Sequence, residues 1–203
     1  PGYEADDVIG TLATEAGRQG ITTYMMTPDK DYGQLVSDKV FMYRPKHTGG
    51  FEMMGVEEVK AKFDIQSPAQ VIDMLGLMGD SSDNIPGCPG VGEKTAQKLI
   101  SEFGSIENLL EHTDQLKGAL KTKVETNREM ITFSKFLATI KIDVPIQLEI
   151  DSLVREEADE DSLRSIFEEL EFRTLIDRVL KKEVSGNGIT STPGSKVATG
   201  KSA

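Results

Sequence analysis

The sequence is poor in the residues that form disulfides and soft-metal sites. Its 203 residues include one cysteine, Cys88, and two histidines, His47 and His112. One cysteine cannot form an intramolecular disulfide, a cysteine-type zinc site is excluded, and a histidine-based site is disfavoured. This cysteine usage is typical of the reducing cytoplasm, which is the location that we predict.

Long hydrophobic runs and an excess of basic charge are also missing. No stretch approaches the roughly 20 apolar residues that span a bilayer, so no membrane partner is predicted. The net charge of −11 argues, taken alone, against a nucleic-acid binder. The distribution is uneven, however, because residues 90–142 carry 7 acidic and 8 basic side chains while both flanks are acidic. That middle segment is the part most compatible with phosphate, and bound divalent cations could neutralise the acids before it.

The first half alternates helical and extended patterns, which predicts an α/β fold. A helix is predicted from the apolar spacing of Val8, Ile9, Leu12 and Ala16. Apolar, β-branched or aromatic runs predict strands. The predicted strands are 21–26, 39–44 and a hairpin return at 51–54, and the predicted helices are 32–36, 56–63 and 68–76.

Carboxylates are concentrated at three places in this pattern. They are Glu4, Asp6 and Asp7 in the first helical turn, Asp29 and Asp31 just after the first strand, and Asp80 and Asp83 in a turn-rich patch. The first group is favoured by the helix dipole alone, and one residue of the second could simply cap a helix. Ligands bind at the carboxyl edge of open parallel sheets, however, and a cation among clustered acids relieves their repulsion. Both interpretations stay open on the residues alone.

Two familiar motifs are excluded by spacing. An EF-hand starting at Asp29 would need glycine at its sixth position and glutamate at its twelfth, where Gln34 and Val40 stand. A nucleotide-binding P-loop would need lysine directly after Gly92, but Glu93 intervenes.

The segment from Gly90 to Thr95 predicts a phosphate-binding hairpin. Gly90, Val91 and Gly92 precede a predicted helix at 93–103, whose N-terminal N–H groups can face an anion. Lys94 and Lys98 share the exposed face of that helix, while Ala96, Leu99 and Ile100 face inward. A plain helical hairpin with a capping glycine is the alternative. Further helices are predicted at 106–111, 117–140, 161–170 and 172–180, and a flexible tail at 183–203.

Four motifs, in this order, carry a resemblance. They are Tyr3-Glu4-Ala5-Asp6-Asp7, Asp29-Lys30-Asp31 with Gln34-Leu35, the segment from Gly79 to Gly87, and Gly90-Val91-Gly92-Glu93-Lys94-Thr95-Ala96. Together they closely resemble the 5′–3′ exonuclease domains of bacterial DNA polymerases I, in the flap endonuclease family. The resemblance covers roughly residues 1–182.

The resemblance implies a fold and a domain division. It implies a partial PIN-like α/β core with a twisted, mostly parallel sheet over residues 1–86. A helix–hairpin–helix (helix-three-turn-helix) DNA-binding subdomain and C-terminal helices follow over 87–182. It also implies that the chain lacks the N-terminal part of the nuclease domain, with further metal ligands and a basic arch, and that it was cut from a longer polypeptide. Covalently linked polymerase domains are expected in that parent protein.

The resemblance also assigns roles to residues. It implies two Mg²⁺ or Mn²⁺ ions held by seven carboxylates, of which the aspartates are catalytic: Glu4, Asp6, Asp7, Asp29, Asp31, Asp80 and Asp83. It implies contact with the DNA backbone through Gly90, Val91, Gly92, Lys94, Thr95 and Lys98, and a K⁺ ion at the hairpin carbonyls. The expected activity is two-metal hydrolysis of DNA at 5′ ends, flaps and nicks, without sequence specificity, by a monomer in replication and repair. The alternative is a DNA-binding module that does not catalyse.

Overall fold

The computed structural model describes residues 2–46 and 48–180. His47, expected in a turn, and the predicted tail at 183–203 lie outside these residues. No helix in the described part is long and apolar enough to cross a membrane. The chain divides into two compact units, Pro1–Glu149 and Ile150–Ala203.

The first unit contains a small sheet and most of the helices. In chain order its elements are α1 (Ala5–Arg18), β1 (Thr23–Met25), a 3-10 helix (Lys30–Leu35), β2 (Val40–Pro45), β3 (Phe51–Met54), α2 (Val56–Phe63), a 3-10 turn (Pro68–Gln70), α3 (Val71–Met78), α4 (Glu93–Phe103), α5 (Ile106–Glu111), a 3-10 turn (Thr113–Gln115), α6 (Gly118–Thr126) and α7 (Arg128–Ala138). The predicted α/β alternation is therefore confirmed.

The sheet has the order β1–β2–β3. Strand β1 pairs parallel to β2, with Thr23 opposite Val40, and β2 pairs antiparallel to β3, with Met42 opposite Met54. Val40 and Met42 point into the core, as the alternation of side chains along a strand requires. The sheet of the described residues is thus mixed, with one parallel and one antiparallel pair.

Helix α3 is the centre of the core. Val71, Met74, Leu75 and Leu77 are fully buried, and the helix packs against both α4 and α7. Burial on nearly all sides explains why its sequence is apolar almost throughout. The same cluster of buried side chains includes residues from β2 and from α4. Residues 1–86 and those that follow therefore share one core, and the predicted boundary at residue 86 stays a prediction.

Helix α1 forms as predicted, and Ala16 of the predicted apolar set is buried, but the rest of its buried face differs from that set. Its buried residues are Gly10, Thr11, Ala13 and Ala16, whereas Ile9 is 41% exposed. Gly10 permits a close approach, because a Cβ there would lie 2.7 Å from Cγ2 of Ile140. The face of α1 that packs against the core is thus made of small side chains, which a pattern of large apolar residues does not identify.

The prediction of a single helix at 117–140 is wrong. The structure has two helices, α6 and α7, separated at Asn127. The Asn127 side chain donates to the carbonyl of Lys123 (2.7 Å), and its backbone leaves the helical region with φ −108° and ψ 21°. Asparagine side chains compete for backbone partners in this way and end helices.

The second unit contains a 3-10 turn (Ile150–Ser152), α8 (Glu160–Glu169) and α9 (Arg173–Leu180). The two predicted helices are confirmed within one residue at each boundary. Asp159 caps α8, since its carboxylate accepts the N–H of Ser162 at 3.0 Å.

Candidate metal centre and phosphate-binding hairpin

Three of the predicted carboxylates meet in space. Asp31, Asp80 and Asp83 each place a carboxylate oxygen within 4.8 Å of the others. Asp31 and Asp80 are buried, at 7% and 6% exposure, whereas Asp83 is exposed. Two buried acids beside an exposed one form a site that opens to solvent on one side.

The 3-10 helix after β1 separates the roles of Asp29 and Asp31. The Asp29 carboxylate accepts the backbone N–H of Asp31 (3.0 Å) and caps this helix. The capping interpretation is therefore confirmed for Asp29. Asp31 points instead to the cluster, and its Oδ1 is buried without a hydrogen-bond partner among the described residues. Such an atom is costly unless something binds it.

A closed turn presents Asp80 and Asp83. The N–H of Asp80 donates to the carbonyl of Ile85 (2.9 Å), and the N–H of Ile85 donates back (2.7 Å). Within this turn Asp80 Oδ1 accepts the N–H of Ser82 at 2.8 Å. Asn84 adopts a left-handed conformation, φ 57°, which asparagine tolerates better than most residues. This geometry fixes the two carboxylates relative to the end of α3.

Two glycines hold that turn against the next segment. Gly79 and Gly87 have φ values of 73° and 62°, and a Cβ on Gly87 would lie 2.7 Å from Cα of Gly79. No other residue type fits both the backbone conformation and the contact. The N–H of Gly87 also donates to the buried hydroxyl of Ser134 on α7 (2.9 Å).

Burial and charge act against each other at Asp31. Burial, followed by the charge of Asp29, raises the pKa of Asp31 to about 7, although the ammonium of Lys30 opposes the rise. At Asp80 burial also acts to raise the pKa, but the hydrogen bonds from Lys30 and Ser82 prevail and hold it below its usual range. Of these two carboxylates, Asp31 is therefore the one whose charged form the protein alone stabilises less.

The first carboxylate group lies across a shared cavity. Glu4, Asp6 and Asp7 line a cavity of about 280 Å³ together with Asp31 and Asp83. The segment 137–140 closes another side of it. Five of the seven predicted carboxylates thus converge on one space, whereas Asp29 and Asp80 do not line it.

Hydrogen bonds hold the first group in place. Asp6 accepts the hydroxyl proton of Tyr32 (2.7 Å), and Asp7 accepts the N–H of Lys141 (2.9 Å). Burial, with the Asp6 hydrogen bond second, raises the pKa of the Tyr32 hydroxyl, which therefore remains a donor. Tyr32 was missed by the sequence reasoning, since its role depends on a contact 26 residues away.

The donor set fits a hard divalent cation. It consists of carboxylate oxygens, one of which is buried and lacks a hydrogen bond. Oxygen donors of this kind suit Mg²⁺ or Mn²⁺. The residues that could hold such an ion are Asp31, Asp80 and Asp83. Glu4, Asp6 and Asp7 face the cavity that Asp31 and Asp83 line.

The glycine hairpin follows directly. The N–H of Cys88 donates to the carbonyl of Leu77 (2.7 Å), and the N–H of Val91 donates to that of Cys88 (2.9 Å). Val91 is buried, so its side chain anchors the hairpin and does not face a ligand. Gly92 is the N-cap of α4, whose first N–H groups lack intrahelical acceptors.

Cationic side chains surround this hairpin. Lys94 and Lys98 are exposed on α4, as predicted, and Thr95 is half-buried beside them. Lys123 on α6 donates to the carbonyl of Gly90 at 3.4 Å. The sequence marked Lys123 only as one of several basic residues in the predicted helix at 117–140. Its contact with Gly90 was not predicted, because 33 residues separate the two.

Two family models match the chain. The 5′–3′ exonuclease N-terminal resolvase-like domain matches residues 1–64, and the 5′–3′ exonuclease C-terminal SAM fold matches residues 66–161. Together they take in most of the sequence. The chain belongs to the 5′–3′ exonuclease family. The predicted resemblance is thereby confirmed.

Known exonuclease-family proteins agree with this assignment. DNA polymerase I of Bacillus subtilis is 45% identical over 179 residues, which is 87% of this chain and 20% of that protein. The chain thus spans about a fifth of the length of such relatives.

Solved structures show the same fold. The 5′-exonuclease of bacteriophage T5, solved with zinc, has a TM-score of 0.61 at 23% identity, covering 68% of this chain and 50% of that one. The T5 flap endonuclease in a pseudo-enzyme-product complex with DNA and metal ions has a TM-score of 0.59 at 24% identity, with the same coverage.

Proposed function

We propose that the chain is the 5′–3′ exonuclease and flap endonuclease segment of a DNA polymerase I, and that it hydrolyses DNA phosphodiester bonds. The observation that carries this proposal is the convergence of Asp31, Asp80 and Asp83, with the buried Oδ1 of Asp31 lacking a hydrogen bond. Family membership supports the same activity. A role in DNA replication and repair, in the cytoplasm, belongs to this proposal.

The carboxylates are proposed to hold divalent ions, with Mg²⁺ or Mn²⁺ favoured by their hard oxygen donors. The six carboxylates other than Asp29 are more than one ion requires, which supports a two-ion site, and the T5 relative binds zinc. Such ions, when bound, would supply activation of a water and stabilisation of the leaving oxygen of an in-line displacement. The protein contributes the arrangement: the closed turn fixes Asp80 and Asp83, and the hydrogen bonds from Tyr32 and Lys141 fix Asp6 and Asp7.

The hairpin is proposed to grip the DNA backbone. The N-terminus of α4, Lys94 and Lys98 offer donors and positive charge to phosphate, with a K⁺ ion at the hairpin carbonyls. Contacts with phosphate position DNA without reading its bases, so substrates are selected by structure and not by sequence. The T5 flap endonuclease in complex with DNA and metal ions supports a DNA partner, and we propose action as a monomer.

Cleavage of a 5′-flap DNA tests this function. The full-length protein encoded by the gene is expected to cut the flap in Mg²⁺. Cleavage should stop when EDTA is added and should resume when excess Mg²⁺ or Mn²⁺ is supplied. Flaps of permuted sequence should be cut at the same position and a similar rate, as gel analysis of labelled products would show. Cleavage that persists in EDTA would contradict the metal site.

A DNA-binding module without catalysis is the second candidate for the chain as given. The hairpin and the lysines beside it all lie in the segment from α3 to α6. Their presence in this chain favours DNA binding by the chain alone. Lys94→Glu is then expected to weaken binding of the chain to nicked duplex and to reduce the salt slope of log K by about 1. Fluorescence anisotropy at several salt concentrations measures both quantities.

The matched control is Lys60→Glu on α2, a charge reversal whose native partner is Glu57 (2.9 Å). It should leave the salt slope unchanged. Equal losses in the two variants would mean that net charge, and not the hairpin, governs binding.

A further inference from the structure

Lys30 lies inside the carboxylate site. Its ammonium group hydrogen-bonds to Asp80 Oδ2 and lies 3.8 Å from Asp31 Oδ1. Within the described residues, no other lysine or arginine forms an ion pair with Asp31, Asp80 or Asp83. One ammonium group therefore pairs with two of the three carboxylates, those of Asp31 and Asp80.

The oxygens held by Lys30 are those that a metal ion would need. Asp80 has two carboxylate oxygens, and Oδ1 already accepts the N–H of Ser82 at 2.8 Å. The other, Oδ2, is paired with Lys30. The unpartnered Oδ1 of Asp31 has the same ammonium as its neighbouring cation. A metal ion bound by these two oxygens would lie where the Lys30 ammonium now lies. The two positive charges would also repel each other.

We propose that Lys30 is an internal counter-ion of the carboxylate site, which holds Asp31 and Asp80 in place without metal and competes with a divalent cation for them. This inference rests on the proposed function, since it assumes that the cluster binds such an ion. Lys30 is thus a positioning residue. Its side chain is 35% exposed and has a flexible four-carbon stem, so it can leave for solvent when an ion enters.

The competition predicts two opposite effects of removing the ammonium. Without metal, Asp31 and Asp80 would lose their nearest positive charge, so the protein should become less stable. With metal present, the divalent ion would no longer have to displace the Lys30 ammonium, so the affinity of the protein for that ion should rise. A lysine that merely stabilises the fold produces the first effect and not the second.

Isothermal titration of the full chain with Mn²⁺, together with thermal unfolding in EDTA, tests both effects. Lys30→Met should bind Mn²⁺ about tenfold more tightly than the wild type, which corresponds to about 1.4 kcal/mol. Its midpoint of unfolding in EDTA should fall. Lys30→Arg, which keeps the charge, should retain the weaker affinity of the wild type.

Lys62→Met is the matched control. It removes the same charge, and Lys62 is near enough for the charge of Lys30 to help lower its pKa, after burial and Arg44. It forms no ion pair with the three carboxylates among the described residues. Its Mn²⁺ affinity should change by less than about twofold, as the greater separation and solvent screening imply.

The outcomes separate this inference from the proposed function. If the wild type binds Mn²⁺ and Lys30→Met binds it with equal or weaker affinity, the proposed role of Lys30 is overturned but the metal site is supported. That role is likewise overturned if Lys62→Met tightens binding as much as Lys30→Met. Absence of Mn²⁺ binding in the wild type and in every variant overturns both. If Lys30→Met does not fold in EDTA, Lys30→Gln is titrated in its place.

Discussion

Replacing Asp80 and Asp83 together by asparagine is expected to lower the rate of flap cleavage by about 10³-fold or more. Metal ions contribute several kcal/mol to stabilising the charge of such transition states, and each 1.36 kcal/mol is a factor of ten in rate. Asparagine keeps the size of the side chain and, at residue 80, an oxygen for the N–H of Ser82. The double variant therefore removes charge from the site while preserving the turn. Single-turnover cleavage of a 5′ flap in saturating Mg²⁺ measures the effect.

The control is a charge-matched double variant away from the cluster, Asp38→Asn with Asp114→Asn. Neither residue belongs to the carboxylate cluster or lines the cavity that Glu4 and Asp31 share. Its cleavage rate should stay within about twofold of the wild type, since surface substitutions of this kind are nearly neutral. Retention of more than a tenth of the activity by Asp80→Asn, Asp83→Asn would contradict a catalytic role for these carboxylates.

The carboxylate motifs could be located from the sequence because turns and strand ends are local features. Asp29 and Asp31 stand after an apolar strand run, and Asp80 and Asp83 stand in a segment rich in glycine and serine. The sequence could not decide which aspartate caps the 3-10 helix and which faces the site. That choice depends on which aspartate lies near the turn that begins at Asp80. In the structure the carboxylates of this turn lie within 4.8 Å of Asp31.

Contacts between distant segments explain what the sequence did not predict. Lys123 reaches Gly90, and Tyr32 reaches Asp6, only because the fold brings their helices together. The buried face of α1 likewise depends on Gly10 meeting Ile140, a contact that no periodicity encodes. Local signals therefore predicted the elements and the ligand candidates, while the orientation of each side chain was decided by its long-range partners.

The position of the hairpin relative to the carboxylates follows from the end of α3. The Asp80–Ile85 turn begins at Gly79, which contacts Gly87, and the next residue, Cys88, is tied to Leu77 by a 2.7 Å hydrogen bond. Both parts of the site are thus attached to the same turn of one buried helix. In the proposed function, this rigid attachment sets the distance between the gripped phosphate and the bond that is cut.

The largest stability effect is expected at Lys135, which joins three helices of that core. Its ammonium donates to Asp73 on α3 (2.6 Å) and to Glu107 on α5 (2.8 Å). Asp73 is only 5% exposed and also accepts the N–H of Ile106 (3.0 Å). Lys135→Met leaves the Asp73 charge buried with that backbone donor alone. Breaking a buried pair in this way should lower the free energy of unfolding by about 3 kcal/mol.

Urea unfolding checks this value, and a double-mutant cycle isolates the pair. Asp73→Asn keeps an oxygen for the N–H of Ile106 but removes the charge, so Lys135→Met should cost less than about 1 kcal/mol in that background. Lys121→Met, which removes a lysine from an exposed pair with Glu125 at 3.8 Å, should cost less than about 0.5 kcal/mol. Equal costs of Lys135→Met in both backgrounds would contradict the ion pair as the source of the stability.

The pH dependence of this difference follows from the two pKa shifts. Burial acts to lower the pKa of Lys135, but its hydrogen bonds to Asp73 and Glu107 prevail and raise the pKa above the ordinary 10.5. Burial acts to raise the pKa of Glu107, and the Lys135 hydrogen bond holds it below 4.5. A raised lysine pKa contributes stability that is full below 10.5 and is lost as pH rises further; a lowered glutamate pKa contributes stability that is full above 4.5 and is lost in acid. The gap between wild type and Lys135→Met should therefore be widest between these values and narrow on both sides, because each limit removes one charge from the network that holds α3, α5 and α7 together.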